Sequence, residues 1–345
     1  MPPVFFVISG YCACHSAMRL RDAQGPPAMV NRLSRSAFRR GLRLYLPVFF
    51  MATLSQLLFF FGLYNWNWTE VTLQPWHAPL AHLKYLVTYL FEIANPMDVT
   101  QNPGLNLQYW VIPVEYAGSL TVYTTCLALA GAKRTVRPIL LALLILPFIY
   151  RGSFLTYTFL AGHLIAELDL VRAHGTGSQR RGLSHRATTA LLLASLYFLS
   201  LPDNYPATPG YAFLDALTPP RWGAVAQHNW RALAACLFVY ALSSDVRLQA
   251  LPSATLPQYL GSISWEVYLC HMMVYRLWRS PLMDFVMSRF EYATTRGLGW
   301  GVVVSGVVAA TAVQGCASGL KRVNAWLMRC ARLWEGWALE AAEGA

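Results

Sequence analysis

The sequence predicts an all-α protein, a polytopic bundle of about nine transmembrane helices. Of its 345 residues, 56% are hydrophobic and only 12% are charged, about half the charged share of a soluble domain. The apolar residues are gathered into runs long enough to approach the span of a bilayer. The chain also carries 12 Trp and 18 Tyr, residue types that favour the boundary between membrane and water.

Nine apolar runs are the predicted membrane-spanning helices. They cover residues 2–18, 44–63, 108–130, 138–150, 153–170, 187–201, 231–244, 257–278 and 300–318. A tenth apolar piece, 80–93, carries His, Lys and Glu, so we expect a short helix at the membrane surface. We therefore predict one transmembrane domain over 1–320, followed by a cytosolic amphipathic tail over 321–345.

The distribution of basic residues predicts the orientation in the membrane. The loops 19–43, 131–137 and 171–186 and the C-terminal tail hold about three times as many Lys and Arg as the alternate loops. Loops rich in Lys and Arg lie on the cytosolic side of a membrane. The C-terminus is therefore predicted to be cytosolic, in a multi-pass protein of an endomembrane or the plasma membrane. Nine crossings then place Met1 on the opposite side, and we expect one helix to be missing ahead of it.

Charge and cysteine patterns exclude several functions. The net charge is +11, but the basic residues lie between apolar runs and form no basic face, so no nucleic-acid partner is expected. The seven Cys include no Cys-x-x-Cys pair. Cys12, Cys14 and His15 lie close together but lack further ligands at metal spacing. We expect the cysteines to be core residues and predict neither a metal site nor a bound cofactor.

Two short motifs occur near the N-terminus. The first, Phe5–Tyr11, reads Phe-Phe-Val-Ile-Ser-Gly-Tyr and places Ser9 inside an apolar helix. Small residues at such a position usually let helices approach closely.

The second motif is basic and precedes the next apolar run. It consists of Arg39, Arg40 and Arg43, followed by Pro47. Arginines at this place often anchor a helix on the cytosolic side. Their guanidinium groups would also suit the phosphates of a cytosolic donor such as coenzyme A.

A third motif carries an acid into an apolar run. The segment Asn106–Glu115 reads Asn-Leu-Gln-Tyr-Trp-Val-Ile-Pro-Val-Glu, with Trp110 five residues before the acid. A carboxylate at this depth is costly unless it has a function or a partner. Glu115 is therefore a candidate catalytic residue, and a structural ion pair with an Arg is the alternative.

A fourth motif lies late in the chain. The segment Gly261–His271 places Ser264, Tyr268 and His271 at helical spacing, so one helix face is polar within an apolar run. Such a face usually lines the bundle interior or a wet cavity. His271 is a second catalytic candidate, although a histidine on a helix face is more often structural.

Together, in this order, the four motifs resemble the membrane-bound acyltransferase family 3, and its fungal branch in particular. Phe5–Tyr11 is similar to the family's Phe-Phe-x-x-Ser-Gly signature, and Arg39–Pro47 to its Arg-Arg-x-x-Arg-x-x-x-Pro element. Trp110 and Glu115 match its Trp-x-x-x-x-Glu spacing. Gly261–His271 resembles its Gly-x-x-Ser-x-x-x-Tyr-Leu-x-His helix, with Trp265 where Tyr or Phe is more usual.

The resemblance implies a function and a set of site residues. It implies ten core helices with cytosolic termini, acyl-CoA as donor substrate, and the hydroxyl of a small molecule, sugar or lipid as acceptor, as in fungal secondary metabolism. The implied catalytic residues are Glu115 and, as a second candidate, His271. The implied substrate-binding residues are Ser9, Arg39, Arg40, Arg43, Asn106, Trp110, Ser264 and Tyr268.

The resemblance also predicts an impairment. The family's first helix carries an Arg and, about ten residues later, a His taken as general base, and neither precedes Phe5 here. This is the helix that the topology predicts to be missing. A catalytically inactive truncated relative is therefore one alternative to an O-acyltransferase. A multi-helix transporter is a second, although the sequence has no internal repeat or paired broken helices.

Overall fold

The computed structural model describes residues 2–64, 75, 78–97, 105–174, 183–205, 207–289 and 295–343. Within these ranges the regular structure is entirely helical, which confirms the predicted all-α class. The helices are α1 Pro2–Gln24, α2 Pro26–Phe60, α3 Pro79–Ala94, α4 Val111–Ala128, α5 Arg137–Arg151, α6 Phe154–His174, α7 His185–Leu199, α8 Phe213–Leu217, α9 Ala226–Ser244, α10 Thr255–Arg289 and α11 Thr295–Glu343. Short 3-10 turns cover Leu107–Trp110, Pro220–Val225 and Leu248–Ala250.

Each predicted apolar run falls within or overlaps one of these helices, and the tenth piece, 80–93, corresponds to α3. By length and composition, two of the described helices, α2 and α6, meet the requirements for crossing a membrane. Within the described residues, the helices that contain the other runs do not meet both requirements.

The basic segment 19–43 differs from its prediction as a loop. Helix α1 continues to Gln24 and α2 begins at Pro26, so Gly25 alone separates them. Gly25 adopts a left-handed φ of 93°, which residues with a Cβ rarely tolerate, and Pro26 starts the next helix in the position where proline is favoured. Arg39, Arg40 and Arg43 therefore belong to α2 and lie within about one helical turn of one another.

The chain forms two compact units that are each continuous in space but not in sequence. The first unit comprises residues 1–38 and 115–254, and the second comprises 39–114 and 255–345. The boundaries fall inside α2 and near the start of α4. Helix α11 runs without interruption through residue 321, the predicted start of the C-terminal tail.

Helix α6 is the central helix of the first unit. It packs against α1, α5 and α9, and eleven of its residues, from Tyr157 to Leu170, are buried. On one side Ile165 lies in an apolar cluster with Val7 of α1 and Val239 of α9. On another side Leu160 packs with α5 and α9. This burial on several faces explains why its sequence is apolar nearly all round.

Glycines set the closest approach in the first unit. A Cβ at Gly10 of α1 would lie 2.2 Å from the Phe159 carbonyl oxygen, and one at Gly162 of α6 would lie 2.1 Å from the Val7 carbonyl oxygen. The two helix backbones therefore touch at this crossing, as in the small-residue packing of membrane helices. The predicted role of Gly10 as a packing notch agrees with this geometry.

The second unit is built around α10. This helix packs along α11 and against the 3-10 turn Leu107–Trp110. Gln108 Nε2 and Tyr109 Oη both donate hydrogen bonds to the Leu269 carbonyl oxygen, at 3.3 and 3.0 Å. The turn that precedes α4 is thereby fixed to the helix that carries the fourth sequence motif.

Candidate active site

The candidate residues belong to both units, with Ser9 and Glu115 in the first and the other eight in the second. In the first unit, the Ser9 hydroxyl of α1 donates a hydrogen bond to Oε1 of Glu115 on α4. Ser9 is 7% exposed and Glu115 is 2% exposed. The structure thus joins the first and third sequence motifs through a buried hydroxyl–carboxylate pair.

The surroundings of this pair are closely packed. The Phe6 ring stacks on the Phe159 ring with centroids 5.2 Å apart, and Phe159 fills the space where a Cβ at Gly118 of α4 would lie. Ser119 donates a hydrogen bond of 2.6 Å to the Glu115 carbonyl oxygen, one turn back. Ser9 and Glu115 are therefore buried among closely packed residues of α1, α4 and α6, where charge interactions are stronger than in water.

A buried ion pair in the same unit was not singled out from the sequence. Arg21 of α1 donates to both carboxylate oxygens of Glu167 on α6, at 2.7 and 3.0 Å. Its Nε also donates to Oδ1 of Asp22 at 3.0 Å, and Asp22 accepts a further bond of 3.1 Å from Arg137. Glu167 is an acid within an apolar run, the same signal that drew attention to Glu115.

The pKa of Asp22 reflects this network. Burial acts to raise the pKa of the carboxyl group, but the hydrogen bond and charge of Arg21, with the neighbouring Arg137 and Arg134, lower it below its ordinary value. Asp22 therefore stays ionised at neutral pH and ties the end of α1 to α5 and to the segment before it. Guanidinium groups that share carboxylates in this way commonly fix helices in place.

In the second unit, the three arginines of the second motif lie on α2. Arg39 and Arg43 are exposed and Arg40 is half-buried. Positions 39 and 43 are one turn apart and share a face. The structure therefore presents guanidinium groups at an accessible surface, which is what a phosphate-bearing ligand requires.

Asn106 and Tyr268 take part in buried polar contacts. Ser55 of α2 donates to Oδ1 of Asn106 at 3.3 Å, and the Tyr89 hydroxyl of α3 donates to its backbone oxygen at 3.3 Å. The Tyr268 hydroxyl donates to the Gln108 carbonyl oxygen. The third and fourth motifs therefore meet through Tyr268, whereas Trp110 is half-buried at the end of the 3-10 turn.

Ser264 and His271 bond to their own helix. Ser264 is exposed and its hydroxyl donates to the Gly261 carbonyl oxygen at 2.9 Å. His271 is half-buried, with Nδ1 2.8 Å from the Tyr268 carbonyl oxygen. A carbonyl oxygen only accepts, so Nδ1 carries a proton, and in a neutral imidazole Nε2 then has the lone pair. Along the predicted polar face, Tyr268 is the residue that reaches a second motif.

A buried arginine in the second unit was also missed. Arg276 of α10 is 7% exposed, donates to the Leu105 carbonyl oxygen and lies 5.9 Å from the centre of the Tyr64 ring. The Tyr64 hydroxyl is in turn 2.6 Å from Ser55 Oγ. A cation inside the apolar run 257–278 is the signal that identifies this residue.

Comparison with known proteins identifies relatives of this chain. The chain is 26% identical to acyltransferase clz18 of Cochliobolus lunatus, covering 88% of this chain and 73% of the relative. It is 25% identical to acyltransferase R4 of a Phoma species, and the alignment covers 90% of this chain and 76% of that relative. It is 28% identical to O-acetyltransferase PaAT-1 of Phomopsis amygdali, and the alignment covers 78% of this chain and 60% of that relative. No solved structure matches significantly.

The family comparison covers nearly the whole chain. Residues 3–314, which include all four sequence motifs, match the acyltransferase domain family. The resemblance inferred from those motifs is thereby confirmed, and the buried Ser9–Glu115 pair lies between two of them. The chain belongs to the acyltransferase domain family.

Proposed function

We propose that this protein is a membrane-bound O-acyltransferase that moves an acyl group, in the simplest case acetyl, from acyl-CoA to a hydroxyl group. The acceptor is a small molecule, a sugar or a lipid. The observation that carries the proposal is the buried Ser9–Glu115 pair, which couples two motifs of an acyltransferase-domain chain. The name of the relative PaAT-1, an O-acetyltransferase, supports acetyl as the group and oxygen as its acceptor.

The proposed reaction is a transfer from sulfur to oxygen. A base removes the proton of the acceptor hydroxyl, and the oxygen attacks the thioester carbon. The carbon–sulfur bond then breaks, the coenzyme A thiolate leaves and takes up a proton, and an ester remains. We assign Glu115 the acid–base or orienting role, and Ser9 the role of holding its carboxylate through the hydrogen bond between them.

The donor is proposed to bind through the basic face of α2. We assign the phosphates of coenzyme A to Arg39, Arg40 and Arg43, which α2 places at exposed or half-buried positions. Arginine suits this task because its planar fork can bond two phosphate oxygens together. Coenzyme A is a substrate in this scheme, and no bound cofactor is invoked.

Second-unit residues are proposed to contact substrate. These are Asn106, Trp110, Ser264 and Tyr268, of which Asn106 is buried and Ser264 exposed. His271 is retained as a second candidate base, because its proton on Nδ1 leaves the Nε2 lone pair available. The contact of Nδ1 with its own helix equally fits a structural histidine, and the variant His271→Gln separates the two roles.

The protein is proposed to cross the membrane several times with its C-terminus in the cytosol. The apolar composition and the agreement between apolar runs and helices support this arrangement, as do the two helices that meet the requirements for a membrane span. A bilayer location would bring lipid or hydrophobic acceptors to the enzyme, while a cytosolic basic face would meet acyl-CoA.

The test is acyl transfer by the purified chain in lipid vesicles. Acetyl-CoA is added with a mixture of sugars, alcohols and lipids, and the rate of coenzyme A release is measured together with ester formation. Glu115→Gln keeps the shape of the side chain and removes its charge, and we expect a loss of about 10²–10⁴-fold. His271→Gln should leave the rate within a few-fold if that residue is structural.

The matched control is Glu266→Gln, another buried carboxylate. Its Oε1 accepts a 2.9 Å hydrogen bond from Asn324 Nδ2, which the Gln oxygen can still accept, so the activity should be unchanged. Acetyl transfer that is equally fast in wild type and Glu115→Gln would refute the role of Glu115. A folded wild-type chain that releases no coenzyme A with any acceptor would support the inactive relative.

A further inference from the structure

Two thiols and an imidazole meet in the core of the first unit. Cys14 on α1, Cys126 on α4 and His163 on α6 are all fully buried. Their possible ligand atoms lie within 4.8 Å of one another, and Cys126 Sγ is 3.4 Å from His163 Nε2. These residues are far apart in sequence, so no local spacing could indicate the cluster.

The cluster is poorly explained as ordinary packing. A buried cysteine behaves as a small apolar residue, but Cys14 makes weak contacts of 3.2 and 3.5 Å with the carbonyl oxygens of Gly10 and Tyr11 and a side-chain hydrogen bond with Cys126. His163 is different, because among the described residues its Nδ1 is buried with no hydrogen-bond partner. Its Nε2 faces Cys126 Sγ at 3.4 Å, so Nε2 is the nitrogen placed to bind an ion beside the thiols.

We propose that Cys14, Cys126 and His163 bind a thiophilic d10 metal ion, with Zn²⁺ as the reference. Two thiolates and a neutral imidazole are donors that such ions prefer. Binding displaces one proton from each thiol to solvent and forms two metal–sulfur bonds and one metal–nitrogen bond. With Zn²⁺ the two thiolates cancel the charge of the ion, so the complex is neutral, as a buried site requires.

The nearest charged groups are consistent with a neutral complex. Glu167 follows His163 by one turn on α6, but both of its oxygens accept hydrogen bonds from Arg21. This pair has no net charge and leaves the Glu167 carboxylate committed to its partner. The fourth coordination position of a tetrahedral ion would then fall to water or a small ligand.

The ion would act as a clamp between helices. Cys14 follows Ser9 by five residues on α1, about 7.5 Å along the axis, and Cys126 lies on the same helix as Glu115. A metal that joins α1, α4 and α6 would therefore fix the separation on which the Ser9–Glu115 hydrogen bond depends. This is a positioning role, and it does not require the ion to touch a substrate.

The test uses the full chain without a histidine tag, in detergent, with a phosphine reductant. Exposed Cys12, Cys316 and Cys330 are first replaced by Ser, so that they do not bind metal. The protein is loaded with zinc alone, dialysed, and analysed for zinc by atomic spectrometry. We expect about one zinc per chain, and a loss of at least tenfold in zinc affinity for Cys14→Ser or His163→Ala.

The matched control is Cys236→Ser, which changes a half-buried thiol of the same unit outside the cluster and should keep the zinc. X-ray absorption at the zinc edge needs no variant, and should show two sulfurs at about 2.3 Å and a nitrogen at about 2.0–2.1 Å. Zinc with only oxygen or nitrogen neighbours, no zinc at all, or a Cys14–Cys126 disulfide in protein isolated without reductant would overturn the proposal. Acyltransfer activity is not the readout, so the result is independent of the proposed reaction.

Discussion

Glu115 and Glu167 are both buried carboxylates on helices of the first unit, but their partners differ. Glu115 accepts a hydrogen bond from the Ser9 hydroxyl, which adds no charge. Glu167 is bound by both terminal nitrogens of Arg21, a bidentate geometry that fixes the carboxylate in place. The ion pair indicates a structural role for Glu167, whereas the acid–base or orienting role proposed for Glu115 is tested by Glu115→Gln.

The Arg21–Glu167 pair gives a prediction about stability. Replacing Arg21 alone by Met leaves the Glu167 carboxylate buried beside a neutral side chain, and we expect a loss of about 3–5 kcal/mol in the free energy of unfolding. Replacing Glu167 alone by Leu removes one partner of the Arg21 guanidinium, but Asp22 still accepts a hydrogen bond from it. The loss in the free energy of unfolding should therefore be smaller.

The double variant, Arg21→Met with Glu167→Leu, should be less destabilised than the sum of the single variants, because no charge remains unpaired. Unfolding titrations in mixed micelles measure all three. Strictly additive losses would contradict a coupled ion pair.

At this scale the sequence identified some residues and not others, for a physical reason. An ionisable residue inside an apolar run is visible without a structure, and Glu115 was found in this way; Glu167 and Arg276 carry the same signal. Which of them meets a hydroxyl, a guanidinium or a ring depends on how distant helices pack. The Cys14–Cys126–His163 cluster has no local signal at all, because each residue comes from a different helix.

Among the contacts between helices, the crossing of α1 and α6 leaves no room for a side chain at either glycine. Gly10 and Gly162 lie where each helix touches the backbone of the other. Neither contact can be relieved by a side-chain rotation, because the opposing atoms are main-chain oxygens. Ser9, Cys14 and Arg21 all lie on α1, so this crossing sets the position of the whole residue set that α1 contributes.

Alanine substitution tests the crossing. Gly10→Ala or Gly162→Ala should destabilise the protein by about 1–3 kcal/mol through overpacking, and should also lower acyl transfer, because α1 carries Ser9. The control is Gly315→Ala in α11, where a Cβ would meet nothing within 4 Å and helix propensity gains about 1 kcal/mol. Thermal unfolding in detergent measures all three, and equal midpoints would contradict the close approach.

The helices themselves were largely predictable from the sequence, whereas their connections were not. Apolar runs predicted all the long helices because lipid-like or buried surroundings demand continuous apolar faces. The sequence predicts a loop over 19–43 because this basic segment lies between two apolar runs, but Arg is a good helix former and one glycine suffices for the turn. Basic residues indicate on which side of the membrane a segment lies, but they do not determine whether its backbone is helix or loop.

For the whole molecule, the proposed orientation predicts a cytosolic C-terminus. A short epitope tag placed after Ala345 should be reached by an antibody only after the plasma membrane is permeabilised, or should lie on the outer surface of endomembrane vesicles. The physical reason is the excess of Lys and Arg in the C-terminal tail and in the alternate loops on its side. Labelling of the tag from the outside of intact cells would contradict this topology.

The central claim is that the chain transfers an acyl group and does not transport a solute. The most direct measurement gives acetyl-CoA two labels, one on the acetyl group and one on the coenzyme A moiety, outside sealed vesicles that contain the protein and acceptors. We predict that the labels separate, the acetyl label into an ester and the other into free coenzyme A, and that Glu115→Gln abolishes the separation. Both labels crossing the membrane together, or remaining together in intact acetyl-CoA, would contradict the account.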